Sequence, residues 1–310
     1  MEALQAGLDD LDSGPIFAVA HRGCWSSAPE NSLLSMENCI ALGVEVAEID
    51  VMLTADRELV VLHDPTLDRM TNGSGLVREH TLAELRELRL YERDGSPHQI
   101  MGKKLLTAHT IPTLAELLEV TRSRLLLNLE IKSNEVFGFE ETFAASVTVA
   151  REMGVENEIL WKIPAAGRTY GIDIIEGFAG STDPETPADT IVNALDLEGL
   201  RYVTPIVWQS ARDFETQIAD LADNGIRSFE IVTDNVDYWP AMPDGRIAGA
   251  DNYRYLGVGV LPRWSGGLSD DVAMHDPEAA WGRLIELGAD SIMTDRPEQL
   301  LRYLQRTGRR

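Results

Sequence analysis

Two carboxylates and an imidazole crowd into one short stretch, EIDVMLTADRELVVLHD at 48–64. Glu48 and Asp50 are two apart in a strand-like run, so their side chains leave the backbone on the same face. The turn-prone Thr54-Ala55-Asp56-Arg57 then leads into a second apolar run, Leu59 to Leu62, that ends in His63-Asp64. Folded back about that turn, the runs form a hairpin in which Glu48 and His63 are equidistant from its centre and lie side by side. Such a patch can bind a cation and carry a proton.

Further chemistry-bearing residues close other apolar runs. His21 and Arg22 end the first, Glu130 and Lys132 follow Leu125 to Leu129, and Lys162 lies near the end of Ile159 to Ile163. Carboxylates set into apolar strands are costly to bury unless paired or metal-bound, so Glu48, Asp50 and Glu130 call for a cation. Their all-oxygen donor set suits Mg²⁺ or Ca²⁺ better than Zn²⁺. The competing explanation is ion pairing of Glu48 and Glu130 with Arg22 and Lys132, without a metal. The two histidines weigh against it, since a pair of imidazoles can take and return protons near neutral pH, one as base and one as acid. Lys162 is a cation placed to reach a phosphate or polar head group, or else a surface lysine with a buried stem. Trp264, in GVGVLPRWSGG at 257–267, walls a pocket or is an ordinary buried loop aromatic.

The elements that must position these groups follow from periodicity and punctuation. Ile16 to Ala20 is a strand, and Asn31 or Ser32 caps a helix whose apolar positions Leu33, Leu34, Met36, Ile40 and Leu42 run to Gly43. Val44 to Val51 is the next strand, with 58–62 returning along it. From 65 to 112 the pattern loosens around TNGSG and a short helix at 82–90, as an insertion would. Helices at 113–121 and 140–153 then alternate with strands Leu125 to Ile131 and Ile159 to Ile163. Later strands are Tyr202 to Trp208, Ser228 to Val232, Tyr255 to Val260 and Ser291 to Thr294. With the return strand set aside, eight strands alternate with helices. That predicts an α/β fold, a (β/α)8 TIM barrel with a small insertion (65–112) after the second-strand hairpin, as one domain over 1–310. An open doubly wound sheet is the competing architecture. The barrel places active-site groups at the carboxyl ends of strands, where His21, Arg22, Glu48, Asp50, Glu130, Lys132 and Lys162 all fall.

Charge narrows the partners. Fifty-one acidic against 27 basic residues give a net charge of −24, which repels nucleic acid and anionic membrane surfaces. An anionic substrate must therefore be held by a metal or by a few well-placed Arg and Lys. Cys24 and Cys39 form neither a metal-binding spacing nor a disulfide framework and are expected to be reduced. MEALQAGLDDLDSG lacks the basic start and apolar core of a signal peptide, and no apolar run reaches about 18 residues. A cytoplasmic protein with no integral membrane segment is expected, its first dozen or so residues frayed. Nothing in the chain sets an oligomeric state. His80, His98 and His109 are expected to be solvated in the insertion, with room for one to approach substrate from above, His275 to cap or precede the last long helical pattern, Ser269-Asp270-Asp271 to be solvated loop, and Asp295 to act as a helix cap.

In order and spacing, AHRG at 20–23, PENS at 29–32, the 48–64 stretch, LDRMTNGSG after it, IPTLAELL at 111–118, LEIK at 129–132 and TDRP at 294–297 resemble the glycerophosphodiester phosphodiesterases. The resemblance covers the first 135 residues closely and the last 25 adequately. It implies a (β/α)8 barrel with one divalent cation, Mg²⁺ or Ca²⁺ with Mn²⁺ as a further candidate, on Glu48, Asp50 and Glu130. It also implies His21 and His63 as the catalytic pair, with Arg22 and Lys132 on the phosphate of a small-molecule phosphodiester. The second half departs from the family's usual Trp-bearing strand, which leaves the leaving alcohol open. Lysophospholipase D or sugar-phosphodiester hydrolase activity, and a non-catalytic metal- or phosphate-binding barrel, are the alternatives.

Overall fold

A computed structural model describes residues 1–10, 14–92, 105–134, 136–164, 195–209, 214–233 and 253–310. Eight parallel strands close on themselves: β1 (Phe17–Ala20), β2 (Val46–Leu53), β4 (Leu126–Ile131), β5 (Ile159–Pro164), β6 (Tyr202–Gln209), β7 (Ser228–Thr233), β8 (Arg254–Val258) and β9 (Ser291–Thr294). β1 pairs with β9 on one side and β2 on the other, so the eight staves leave no edge. β3 (Leu59–Val61) runs antiparallel on the end of β2, outside the ring. The closed barrel settles against the open sheet.

Period-two alternation decides what lies inside. Ala47, Ile49 and Val51 of β2 and Leu127, Leu129 and Ile131 of β4 face outward into the main core, together with buried residues of the helices α2 (Leu33–Leu42), α3 (Leu114–Thr121) and α4 (Phe139–Met153). The opposite face carries Val46 and Leu126 into a smaller cluster that also holds Phe17, Val19, Leu160 and Leu256. Higher on that inner face apolar residues give way to Glu48, Asp50, Asn128 and Glu130. The polar throat of the barrel is thus a direct consequence of strand register.

The N-terminus departs from the frayed segment expected. Glu2–Asp9 is helix α1; its Leu8 joins the inner cluster, and Arg254 donates from Nε to the Leu8 carbonyl at 2.9 Å and from Nη2 to those of Gly7 and Asp10. A buried guanidinium capping a helix C-terminus satisfies carbonyls the helix cannot.

The hairpin register also differs by one residue from the symmetrical pairing of Glu48 with His63. Val51 faces Val61 and Leu53 faces Leu59, and the Leu62 N–H bonds the Asp50 carbonyl at 3.0 Å. The loop holds three residues instead of two, because Arg57 takes φ 64° and Thr54 N–H closes on Glu58. Past it, Leu67, Met70, Val77, Leu85, Leu90 and Ile111 make a separate small core against Met52, Val60 and Leu62 of the hairpin. The described parts of the 65–112 stretch, 65–92 and 105–112, are therefore seated directly on the arm that carries His63.

Cys24 and Cys39 are joined as a disulfide, Cα to Cα 5.1 Å, correcting the expectation of reduced thiols. The loop after β1 folds back over α2 and brings Cys24 to the helix's second turn, a proximity their 15-residue separation does not reveal. The cysteines thus give no support to the cytoplasmic expectation. No helix among the described residues is long and apolar enough to cross a membrane.

Candidate functional site

The carboxyl ends of β1, β2, β4 and β5 bring together seven of the residues singled out from the sequence. His21, Arg22, Glu48, Asp50, Glu130, Lys132 and Lys162 line one cavity of about 190 Å³, with His63 from the end of the hairpin. The loop after β1 is shaped for this. Arg22 sits at φ 58° and directs its backbone N–H to Glu48 Oε2 at 2.9 Å. Gly23 follows at φ 81°, where a Cβ would come within 2.5 Å of Met36 Cε and 2.6 Å of Ser35 Oγ. Asn31, at φ 55°, donates from Nδ2 to Asp50 Oδ2 at 2.8 Å.

Glu48, Asp50 and Glu130 each offer a carboxylate oxygen, all within 4.8 Å of one another. Around them lie Lys132 Nζ, 3.0 Å from Asp50 Oδ1 and bonded to Glu130, and Lys162 Nζ, 2.6 Å from Glu130 Oε2. Burial, with Asp50 beside it, pushes the Glu48 carboxyl up to about 8. Burial acts the same way on Glu130 and Asp50 but is outweighed: Lys132 and Lys162 hold Glu130 at about 2, and Lys132, His63 and Arg22 hold Asp50 well below the carboxylate range. Three crowded oxygens, one of them on an acid that burial and its neighbours keep from ionising, fit a small divalent cation.

Both imidazoles are oriented by carboxylates. His21 Nδ1 is 2.9 Å from Asp295 Oδ1 and His63 Nδ1 is 2.7 Å from Asp64 Oδ1, and both rings line the cavity. Burial, reinforced by Arg22 and Lys132, lowers His63 to about 4. Asp295 is fixed in turn, its backbone N–H donating to Asp270 Oδ2 at 2.7 Å. Asp270 Oδ1 accepts from Thr294 Oγ1 at 2.7 Å and from Trp281 Nε1 at 3.0 Å. Asp270 is 2% exposed and burial raises its carboxyl to about 7, so it is no solvated loop residue. Asp295 likewise makes no helix cap; helix Pro297–Thr307 starts after Arg296 without a side-chain cap.

Lys162 is a buried residue, 3% exposed, held between Glu130 and Glu230, the latter at 3.1 Å. Trp264 lies half-buried on the far wall with Val232, Val258, Leu261 and Met293, and Arg263 stacks over its ring at 5.2 Å. Sequence reasoning missed Glu230, Asn31, Glu30, Asp64 and Arg69. Glu230 left a local signal as a lone acid in the apolar run SFEIV, Asp64 as the neighbour of His63, and Glu30, Asn31 and Arg69 as members of PENS and LDRMTNGSG. Of the other histidines, His80 bonds the Leu76 carbonyl through Nδ1 at 2.9 Å, His109 is half-buried, and His275 is exposed. His98 lies outside the described residues.

Carboxylates, imidazoles and lysines gathered at the carboxyl ends of a closed parallel barrel define a (β/α)8-barrel enzyme. The sequence pattern of the "Glycerophosphoryl diester phosphodiesterase family" matches residues 21–167, and a pattern described only as a domain of unknown function matches 259–304. A glycerophosphodiester phosphodiesterase of Caldanaerobacter subterraneus subsp. tengcongensis is 36% identical over 295 residues, 94% of this chain and 98% of the relative. One from Bacillus subtilis is 34% identical over 145 residues, 46% of this chain and 50% of its own length. Among solved structures, a glycerophosphoryl diester phosphodiesterase from Parabacteroides distasonis superposes with TM-score 0.69 at 20% identity, covering 99% of this chain and 92% of that one. An Oleispira antarctica phosphodiesterase, solved with the product sn-glycerol-3-phosphate, gives TM-score 0.61 at 24% identity over 94% and 97% of the two chains. The chain belongs to the glycerophosphodiester phosphodiesterase family.

Proposed function

We infer that this phosphodiesterase cleaves small glycerophosphodiesters into an alcohol and glycerol phosphate by two-histidine acid–base catalysis beside one divalent cation. The observation that carries this is the pair of imidazoles, each tied through Nδ1 to a carboxylate, facing the same cavity as three clustered carboxylates. Glu48, Asp50 and Glu130 hold the cation, Mg²⁺ or Ca²⁺ from the donor set and Mn²⁺ as a further candidate. Bound there, it supplies a positive charge against the phosphoryl oxygens.

The chain's own groups do the rest. Arg22 and Lys132 contact a non-bridging oxygen and orient the diester. With all four ionised, the carboxylates of Glu48, Asp50, Glu130 and Glu230 against three cations (Arg22, Lys132, Lys162) leave one negative charge, which a bound divalent ion, favouring the ionised Glu48, would turn to one positive. An anionic substrate is thereby accepted inside a protein of charge −24. One Nε2 takes the proton of the attacking hydroxyl, the substrate's own neighbouring hydroxyl or a water, and the other returns one to the departing alcohol oxygen. His63, lowered by burial, is neutral at pH 7 and able to accept. Loss of either imidazole, as His21→Ala or His63→Ala, is expected to cost about 10² to 10⁴ in kcat. Retention of activity within a few-fold by either variant removes the two-histidine scheme.

The apolar far wall of Val232, Val258, Leu261, Trp264 and Met293 favours a second substrate, a lysophospholipid whose chain lies on that wall. A kcat/KM for lysophosphatidylcholine above that for glycerophosphocholine would establish it, and the reverse order would dismiss it.

A further inference from the structure

The candidate catalytic groups reach the cavity from two arms that are separate in the fold: Arg22 on the loop after β1, and His63 at the end of the hairpin on which residues 65–92 sit. A single chain of alternating charges joins them. His63 Nδ1 meets Asp64 Oδ1 at 2.7 Å; Arg69 grips Asp64 with two donors, Nε to Oδ2 and Nη2 to Oδ1 at 2.9 Å. Arg69 Nη2 also donates to Glu30 Oε1 at 2.5 Å, and the same oxygen accepts from Arg22 Nη1 at 3.0 Å. Glu30 is 1% exposed, so its charge is sustained by these two guanidiniums and not by water.

We propose that Arg69 is a positioning residue through which the segment after the hairpin, 65–92, holds His63 and Arg22 at one fixed separation across the substrate. The planar fork of a guanidinium is the group that can grip one carboxylate with two parallel donors and still reach a second; an ammonium is a point donor and cannot fix both. The mounting is stiff. Leu67 and Met70, on either side of Arg69, are 0% and 1% exposed in the segment's own small core, and the Thr71 N–H closes a turn on the Leu67 carbonyl at 3.0 Å. Removing Arg69 leaves Asp64 free to rotate, so His63 loses its orientation, while Glu30 turns wholly to Arg22 and draws it from the phosphate. The segment thereby acquires a task in catalysis, since its packing fixes the spacing of a proton carrier and an anion clamp.

The proposal rests on the roles inferred for His63 and Arg22, and the test separates the two. Arg69→Ala, Arg69→Lys, Asp64→Asn and the double variant Arg69→Ala/Asp64→Asn are assayed for kcat and KM on glycerophosphocholine, with thermal melts of each. Arg86→Ala, which breaks the segment's surface pair with Glu116 at 2.6 Å, is the control for packing and is expected to stay within about twofold. Arg69→Ala is expected to lower kcat/KM about 10²-fold through both parameters, as loss of an orienting group does. Arg69→Lys should recover less than a tenth of that loss. Added guanidinium should restore Arg69→Ala at least fivefold without stimulating the parent enzyme. The double variant should be no worse than the poorer single one, since both act through the same imidazole.

Arg69→Ala within threefold of the parent, a double variant whose losses multiply, or an Arg86→Ala loss equal to that of Arg69→Ala would overturn the proposal. A parent-like His63→Ala would instead overturn the underlying mechanism. An inactive His63→Ala beside a parent-like Arg69→Ala would sink this inference alone.

Discussion

Replacing Asp295 by Asn tests whether His21 depends on a charge or merely on a hydrogen bond. The carboxylate side chain is fully buried and its Oδ1 lies 2.9 Å from His21 Nδ1. Asn keeps an acceptor there but removes the negative charge that stabilises imidazolium as His21 gains a proton. At an effective dielectric of about 20, unit charges at this separation attract by about 6 kcal/mol. The retained hydrogen bond offsets about half, leaving about 3 kcal/mol, or about 10²-fold in kcat. KM should move little, because Asp295 lies behind the ring and not in the cavity lining. Steady-state kinetics of Asp295→Asn, His21→Ala and the double variant on glycerophosphocholine decide the matter. The account requires Asp295→Asn to fall between the parent and His21→Ala, and the double variant to match His21→Ala. An Asp295→Asn enzyme within threefold of the parent, or a double variant markedly worse than His21→Ala, would refute a role through the imidazole.

Two further outcomes concern stability. Burial raises Asp270 to about 7, so its neutral form is favoured in the folded state; this contribution is complete below about pH 4 and is lost as pH rises through 7, about 4 kcal/mol at most. Denaturant titrations from pH 4 to 8 should show that slope in the parent and its absence in Asp270→Asn; parallel curves would show that Asp270 is ionised throughout. Gly23→Ala should cost about 2 kcal/mol and also lower activity, because φ 81° is strained for Ala and the added Cβ meets Met36 and Ser35 behind the His21-Arg22 loop. A chemical melt within about 0.5 kcal/mol of the parent would show that the loop is not held as described.

Strand faces were open to reading because their information is local. Alternation in Val46-Ala47-Glu48-Ile49-Asp50 and in Leu126-Leu127-Asn128-Leu129-Glu130 already separates throat from outer core, and both sets face as the period demands. The hairpin register failed by one residue because a three-residue loop with Arg57 at φ 64° and a two-residue turn look alike in TADR. Helix α1 escaped notice because its apolar positions are few and its anchor, Arg254, lies some 245 residues away. Asp270, expected as solvated loop, and Asp295, expected as a helix cap, mislead for a similar reason. Nothing near either one in the chain announces Trp281, Thr294 or His21 as its partner. The Cys24–Cys39 bond and the Arg69–Glu30 contact likewise depend on a loop folding back over α2, a tertiary fact.

The central claim is that three carboxylates, a cation they hold and two imidazoles together cleave glycerophosphodiesters at the barrel mouth. The most direct measurement is release of glycerol phosphate from a panel of glycerophosphodiesters, lysophospholipids and sugar phosphodiesters, before EDTA treatment, after it, and after adding back Mg²⁺, Ca²⁺ or Mn²⁺. The account predicts hydrolysis of at least one glycerophosphodiester that EDTA abolishes and a divalent ion restores, with no restoration in Glu48→Gln. Hydrolysis indifferent to EDTA, or none with any ion on any member of the panel, would contradict it.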